Sequence, residues 1–369
     1  MKNRTNQILL LFFLLLTILL VPGCEILWFA GYALMHDSTE EIEPLVTPYD
    51  DILEKETWHD LGLQGMTISA LCASNNTLLA GCRFSQENPE QNTLYISDNH
   101  GFNWQPLASK LDVLTLEANF EAPSKVFLAG IDYTSSIPQP VLRISENDGF
   151  SWEDIPSPII NDEELPVFLM SHPIDFNGLF LGTATPLTGA LYFSLNLGEE
   201  WEQIDRNGIQ GDFFQIVVHK TNLGEIAVAS KEYPYVLLSN DMGSSWTSSP
   251  PRDSGNMLFL QGLNRLDDVD ILFAGYEDIG MYYSEDFGET WDPIGPDSTN
   301  FTGLTESHYY RYYVKTSPQS GILEHPGGIN RIVWQRVGEK NVYQEKPVIF
   351  GYKNTILLGD FGICVYPFE

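Results

Sequence analysis

The chain carries 50 aspartates and glutamates against 19 lysines and arginines, so acid and base chemistry is the first reading to weigh. Two carboxylates that hydrolyse a glycosidic bond must stand about 5 to 9.5 Å apart. Glu277, Asp278 and Asp360 could serve, but each falls in a turn or loop pattern, where acids are common for solvation alone. His59, His100, His172, His219 and His325 have no serine or cysteine at the spacing of a nucleophile and its base. No EF-hand spacing and no Cys/His ligand cluster occurs, so neither a metal nor a cofactor is expected. The remaining candidates are aromatic. Tyr133, Tyr233, Tyr235 and Tyr276 fall in loop patterns, and a cluster runs His308-Tyr309-Tyr310-Arg311-Tyr312-Tyr313. Exposed tyrosine beside arginine suits contacts with a protein or a glycan. A strand with alternately buried tyrosines is the other reading of the cluster.

The elements that must position these residues are announced by tryptophan. Trp58, Trp104, Trp152, Trp201, Trp246, Trp291 and Trp334 follow one another at gaps of 46, 48, 49, 45, 45 and 43 residues. A fixed period in this range marks a repeat architecture. Five of these tryptophans close an eight-residue box: Ser97 to Trp104, Ser145 to Trp152, Ser194 to Trp201, Ser239 to Trp246 and Ser284 to Trp291. The consensus is S-x-[DN]-x-G-x-x-W. Its third position (Asn99, Asn147, Asn196, Asp241, Asp286) can bond the backbone N–H groups of the turn. Its fifth (Gly101, Gly149, Gly198, Gly243, Gly288) supplies a positive φ. The tryptophan then buries a large ring at the start of the next strand.

The box resembles the Asp-box, or BNR repeat, of sialidases, sortilin-type receptors, xyloglucan-degrading hydrolases and the photosystem II assembly factor of thylakoids. The resemblance covers roughly residues 66 to 295. Each box follows two short strand patterns, such as Phe127-Leu128-Ala129-Gly130 and Val141-Leu142-Arg143-Ile144. An earlier strand opens the unit, as at Thr67 to Ala73, Val113 to Ala118 and Phe213 to Val218. With the strand beginning at Trp, this gives four antiparallel strands per unit, which reads as a propeller blade. The fold expected is all-β: a seven-bladed β-propeller of four-stranded antiparallel blades. The unit at residues 300 to 340 lacks a box, and Pro347 to Tyr366 supplies three strands without a fourth. Trp58-His59-Asp60-Leu61 would then close the ring as an N-terminal outer strand, removing two sheet edges. Six blades, with 300 to 340 as an inserted loop, is the alternative.

The N-terminus reads as an export signal. Met1-Lys2-Asn3-Arg4 precedes an apolar run from Ile8 to Val21, and Val21-Pro22-Gly23-Cys24 follows. Cys24 resembles the lipidated cysteine of a bacterial lipobox. An uncleaved membrane anchor is the alternative, since Ile26 to Met35 is also apolar. The division expected is a signal peptide over 1–23, a membrane-proximal segment and acidic linker over 24–56, and the propeller over 57–369. The protein would be monomeric, extracytoplasmic and held to a membrane. Cys72 and Cys82 lie on neighbouring strands. A turn at Ser74 to Thr77 sets Cys72 opposite Leu79 and leaves Cys82 out of register, so buried free thiols are expected over a disulfide.

A formal charge of −31 excludes a nucleic-acid binder, which needs cations to displace counterions. The sialidases that share the box carry three arginines that clamp a substrate carboxylate, a Tyr–Glu nucleophile pair and an early F/Y-R-I-P motif. No such motif occurs here, and Arg143 directly precedes a box, a structural place. The photosystem II assembly factor implies an arginine-rich patch, which this sequence also lacks. The reading is a binding or scaffold module for a protein or extracellular glycan, engaged through the face opposite the boxes. A glycoside hydrolase acting on a neutral polysaccharide is the alternative.

Overall fold

The computed structural model describes residues 49–367 except 50–51, 56, 120–121, 160–163, 173–174, 176, 186–188, 205–212, 220–221, 223, 231–234, 250, 252–253, 265–269, 278, 295–300, 308–309, 316–320, 327–334, 337–347 and 353–354. Through 301–356 it describes the backbone alone. Cys24 and the rest of the export signal lie outside the described residues. The chain divides into two units, Met1–Leu45 and Val46–Glu369. The second begins ahead of the boundary expected at residue 57, because Tyr49 is fully buried. Its hydroxyl donates to the His100 carbonyl at 2.6 Å, and its ring lies 5.6 Å from Phe102.

Every described element of the second unit is a strand or a turn. The first four strands are β1 (His59–Ala73), β2 (Leu78–Cys82), β3 (Asn92–Ser97) and β4 (Gln105–Ser109). Five four-stranded antiparallel blades follow. They are β5 (Leu111–Ala118) with β6 (Val126–Asp132), β7 (Gln139–Ser145) and β8 (Glu153–Ile155), then β9 (Leu165–Ser171) with β10 (Leu179–Ala184), β11 (Ala190–Ser194) and β12 (Glu202–Gln203). Next come β13 (Phe213–Val218), β14 (Ile226–Ser230), β15 (Val236–Ser239) and β16 (Thr247–Ser249). The fourth blade is β17 (Met257–Asn264), β18 (Asp270–Tyr276), β19 (Gly280–Ser284) and β20 (Asp292–Ile294). The fifth, β21 (Phe301–Ser307), β22 (Tyr310–Lys315), β23 (Gly321–Pro326) and β24 (Gln335–Arg336), occupies the stretch that lacks a box. The chain ends in β25 (Val348–Tyr352) and β26 (Thr355–Pro367).

The expectation of seven four-stranded blades, with six as the alternative, is corrected here. Five sheets have four strands, and the strands near the two chain ends form one six-stranded sheet, β25-β26-β1-β2-β3-β4. Two pairs of short strands read separately from the sequence run on as single long ones. The segments at Trp58 to Leu61 and Thr67 to Ala73 merge into the 15-residue β1. Its start pairs with β26 (His59 with Val365) and its end with β2 (Cys72 with Leu79). The segments on either side of Asp360 merge into the 13-residue β26. Gly359, read as the end of a strand, lies inside β26, where its lack of a side chain serves close packing. A Cβ there would lie 2.6 Å from Ile68 Cγ2, and Asp360 beside it is buried.

Burial explains the strand patterns. The second strand of a blade is shielded on both faces, so β2, β6 and β10 read as continuous apolar runs. The core is a set of layers between neighbouring sheets. One such layer joins Phe180 and Leu191 to Ile216 and Val228. The innermost strands, β5, β9, β13, β17 and β21 of the blades with β1 and β25 of the closing sheet, follow one another around an axial channel.

The five boxes fold alike. The serine Oγ accepts the glycine N–H at 2.7–2.9 Å. The same hydroxyl donates to the Asn or Asp Oδ1 at 2.7–3.0 Å. That oxygen accepts the N–H of the residue before Trp at 2.8–2.9 Å. Bonds from Ser245 and Ser239 hold the Asp241 carboxyl below its ordinary range. Partial burial pushes Asp286 up, but bonds from Thr290 and Ser284 outweigh it, and the net direction is down. The glycines adopt positive φ, as expected. The residue before each glycine does so too: His100, Asp148, Leu197, Met242 and Phe287 have φ between 52° and 61°. Gly198 also leaves room for the preceding blade, since a Cβ would lie 2.2 Å from Ile155 Cγ2.

Trp201 and Trp291 tie their blades to the one before, and Trp104 reaches back to β1 within the six-stranded sheet. Trp104 Nε1 donates to the Leu61 carbonyl and Trp201 Nε1 to the Pro156 carbonyl, both at 2.8 Å. Trp291 Nε1 donates to Ser249 Oγ at 3.0 Å. Trp152 departs from the pattern: its Nε1 is buried and has no partner among the described residues. The two indoles should therefore answer differently to loss of the N–H. Trp201→Phe is expected to cost about 1 kcal/mol, the net worth of its bond to the exposed Pro156 carbonyl, while Trp152→Phe removes an unpaired buried donor and costs less. Urea-unfolding midpoints of the two variants check this, and an equal loss would contradict the staple assignment.

Candidate functional site

Two ends of the propeller can be told apart by hydrogen bonds. At one end, in three blades, the turn between first and second strands holds the box of its own blade. Asp148 N–H donates to the Ser124 carbonyl, Leu197 N–H to Asn177 and Met242 N–H to Gly224, at 2.9, 2.8 and 3.1 Å. The other end is built from the loops between second and third strands and from the connections between sheets. Tyr133 N–H meets the Lys110 carbonyl there at 2.7 Å.

At this second end the structure gathers an aromatic and charged group at the seam of β2 and β5. Phe84 and Tyr133 stack with ring centroids 4.2 Å apart and planes 15° from parallel. Arg83, just past β2, has a side chain about half exposed (49 %) and pairs with the buried Asp112 at 3.0 Å. The other Asp112 oxygen accepts the Phe84 N–H at 2.9 Å. Burial pushes the Asp112 carboxyl up, against the pull of the Phe84 N–H and Arg83. Burial and the nearby Asp112 raise the Tyr133 phenol, with Arg83 opposing. Lys110 stands beside the group, 2.9 Å from Glu90. The arrangement fixes two flat apolar rings and one half-exposed arginine on a rigid seam. Such a site can grip a partner by stacking, apolar contact and hydrogen bonding.

Of the tyrosines singled out by sequence, Tyr133 alone belongs to this group. Tyr235 is half-buried against a blade core. Tyr276, expected in a loop, ends β18 and is fully buried, edge-on to Tyr282 at 5.8 Å. It belongs to the core. Tyr233 and His308 lie outside the described residues. Tyr310, Arg311 and Tyr312 form part of β22, paired on both sides by β21 and β23, which favours the strand reading of that cluster. Arg83 and Phe84 escaped notice, since a lone Arg-Phe after a strand has no motif value. Only the packing of the end of β2 against β5 of the next blade reveals the pair.

Glu277 is exposed and accepts Asn256 Nδ2 at 2.8 Å, Asp278 lies outside the described residues, and Asp360 is buried. Arg143 bridges Asp132 and Asp154 across strands at 3.0 and 2.9 Å, the structural place anticipated for it. Cys72, Cys82 and Cys364 are buried free thiols, and Cys72 faces Leu79 as the turn at Ser74 required.

A second polar place lies in the channel wall. A cavity of about 320 Å³ is lined by Glu117, Ser171, Gln215 and Gln261. Here side chains clasp one inner strand to the next. Ser69 Oγ donates to the Val113 carbonyl at 2.5 Å, and Glu117 Oε1 accepts Ser171 N–H and Oγ at 3.2 and 3.0 Å. Gln215 Oε1 accepts the Leu260 N–H at 2.8 Å. Burial pushes the Glu117 carboxyl from 4.5 up to about 8, against the Ser171 bonds. The folded state therefore favours the neutral acid. Its stabilising contribution is complete below 4.5 and is lost as the pH rises through about 8. Glu117→Gln keeps an acceptor and cannot ionise. Across that window the melting temperature of the parent is expected to fall relative to the variant, then level off. Parallel melting curves at every pH would contradict it.

No protein-family model and no curated protein sequence matches this chain. Its likeness to known proteins is in the fold. It is similar to the structure of YCF48 bound to D1 peptide, with TM-score 0.60, 15 % identity, and 85 % of this chain and 95 % of that one covered. It is also similar to YCF48 from Cyanidioschyzon merolae, with TM-score 0.60, 12 % identity, and 84 % and 98 % covered. Streptogramin B lyase matches at TM-score 0.59 and 11 % identity, over 84 % and 96 %. The second unit thus has the fold of a β-propeller.

Proposed function

We propose that this chain is a binding or scaffold propeller that engages a protein or extracellular glycan through the end opposite the boxes. The Phe84–Tyr133 stack with Arg83 beside it is the observation that carries the reading. Aromatic rings and arginine supply much of the affinity in compact contacts, because they bury large area at little entropic cost. A solved propeller of this fold is described as bound to a peptide, which supports a protein partner over a glycan. An N-terminal anchor, either lipid on Cys24 or an uncleaved apolar segment, would hold the module to a membrane outside the cytoplasm. The apolar run from Ile8 to Val21 and the cysteine after it support this.

The binding reading is tested on the unit Val46–Glu369 with a displayed peptide library and a glycan array. A selected ligand is expected to bind at least about tenfold more weakly to Tyr133→Ala or Arg83→Ala, roughly 1.4 kcal/mol. Phe150→Ala, at a box on the other end, should leave binding unchanged. Turnover of any arrayed glycan would overturn the reading, as would a ligand indifferent to both substitutions. For the anchor, Cys24→Ser is expected to abolish acylation seen by intact-mass measurement of the membrane fraction. Unchanged mass and retention would favour the uncleaved segment.

A further inference from the structure

The turns between first and second strands repeat one device. In four of them, the residue after the innermost strand accepts the backbone N–H three positions on. Thr77 N–H donates to Ser74 Oγ at 3.3 Å and Ala122 N–H to Asn119 Oδ1 at 2.9 Å. In the next two blades the acceptor is an imidazole. Asp175 N–H donates to His172 Nδ1 at 3.0 Å, and Asn222 N–H to His219 Nδ1 at 3.1 Å. Serine and asparagine oxygens accept at any ordinary pH. An imidazole nitrogen accepts only while it keeps its lone pair, and protonation points a hydrogen at the N–H it was holding.

The two histidines sit in different surroundings. His219 Nε2 lies 3.7 Å from Glu225 Oε2, and Glu285, Asp286 and Glu289 line the same cleft, so anions are at hand to balance an imidazolium. His172 is 2 % exposed and stacks on Phe180 at 5.9 Å. Among the described residues, the charged groups of its cleft are Asp175 on its own turn and Glu202 on β12. Gly178 closes the turn against it, where a Cβ would lie 2.6 Å from His172 Cβ. The turn has little room to move around an added proton.

We propose that His172 is an acid-sensitive latch for the box end of the β9–β12 blade, closed while the imidazole is neutral and released when it is protonated. The path is short. His172 N–H closes the turn on the Gly178 carbonyl at 2.8 Å, and the neighbouring Asn177 carbonyl holds Leu197 N–H. Leu197 sits at φ 53°, a conformation that costs a leucine about 1 kcal/mol or more and needs that bond. Its box carries Trp201, whose staple reaches the preceding blade. Burial lowers the His172 pKa, with Asp175 opposing. The contribution is therefore present above the ordinary imidazole value of about 6.5 and is lost as the pH falls below it.

Amide hydrogen exchange of the full chain at about pH 7.5 and about pH 5, corrected for intrinsic rates, tests the latch. Wild type is expected to lose at least about tenfold protection at 172–178 and 194–201 on acidification. His172→Asn copies the Asn119 turn, keeps the acceptor without titrating and should retain protection, while His219→Asn should behave as wild type at these segments. His172→Phe keeps the stacked ring without the acceptor and should be unprotected at both pH values. Acid loss persisting in His172→Asn, no loss in wild type, or full protection in His172→Phe would each overturn the proposal. If the variants do not fold, spectra of uniformly ¹⁵N-labelled wild type decide it. The His172 Nδ1 and Leu197 amide signals must share one midpoint, and separate midpoints would overturn it.

Discussion

The fold rests on one small object, the serine hydroxyl at the head of each box. It accepts the glycine N–H and donates to the Asx oxygen, which in turn accepts the N–H before the tryptophan. Two consecutive left-handed residues are held by these bonds, and in all five boxes the first of them is not glycine. Without them the backbone would relax to a commoner turn and the indole would leave its place. With them, a local turn is converted into a contact with the sheet before it. The same serine therefore organises both a hairpin and a layer of core.

Much of this was legible because tryptophan, glycine and Asx recur in phase, and short apolar runs lie between them. The opposite orientation of the two ends followed from the same alternation. The register at Cys72 was legible from the turn beside it. The merger at the chain ends was not. A short apolar segment beside a glycine reads as a strand and a turn, and the sequence carries no mark that Gly359 is needed for contact with Ile68. The same blindness explains Tyr276, whose position after Ala-Gly resembles a loop although it ends a buried strand. It also explains Arg83, whose partner Asp112 comes from the next blade.

Histidine shows a further limit. Read alone, His172 and His219 looked idle because no catalytic partner stood at the right spacing. Aligned by the structure with Ser74 and Asn119, they fill a position whose requirement is only an acceptor. Sequence types that look unrelated are equivalent when the backbone asks for a lone pair and nothing more. Function-like residues can thus be consumed by local geometry, while a pair with no motif, Phe84 and Tyr133, is left on the surface.

Repeat proteins stacked in a line can lose an end unit and keep the remainder, because each unit answers only to its neighbours. The strand β1 removes that freedom. One half pairs with β2 a few residues later, and the other with Val365 and Cys364 at the far end of the sequence. Bringing those ends together carries the entropy of closing nearly the whole chain. Once made, the closure welds the first and last units into one sheet. Trimming from either terminus then opens the entire ring, and the molecule gains or loses its blades together.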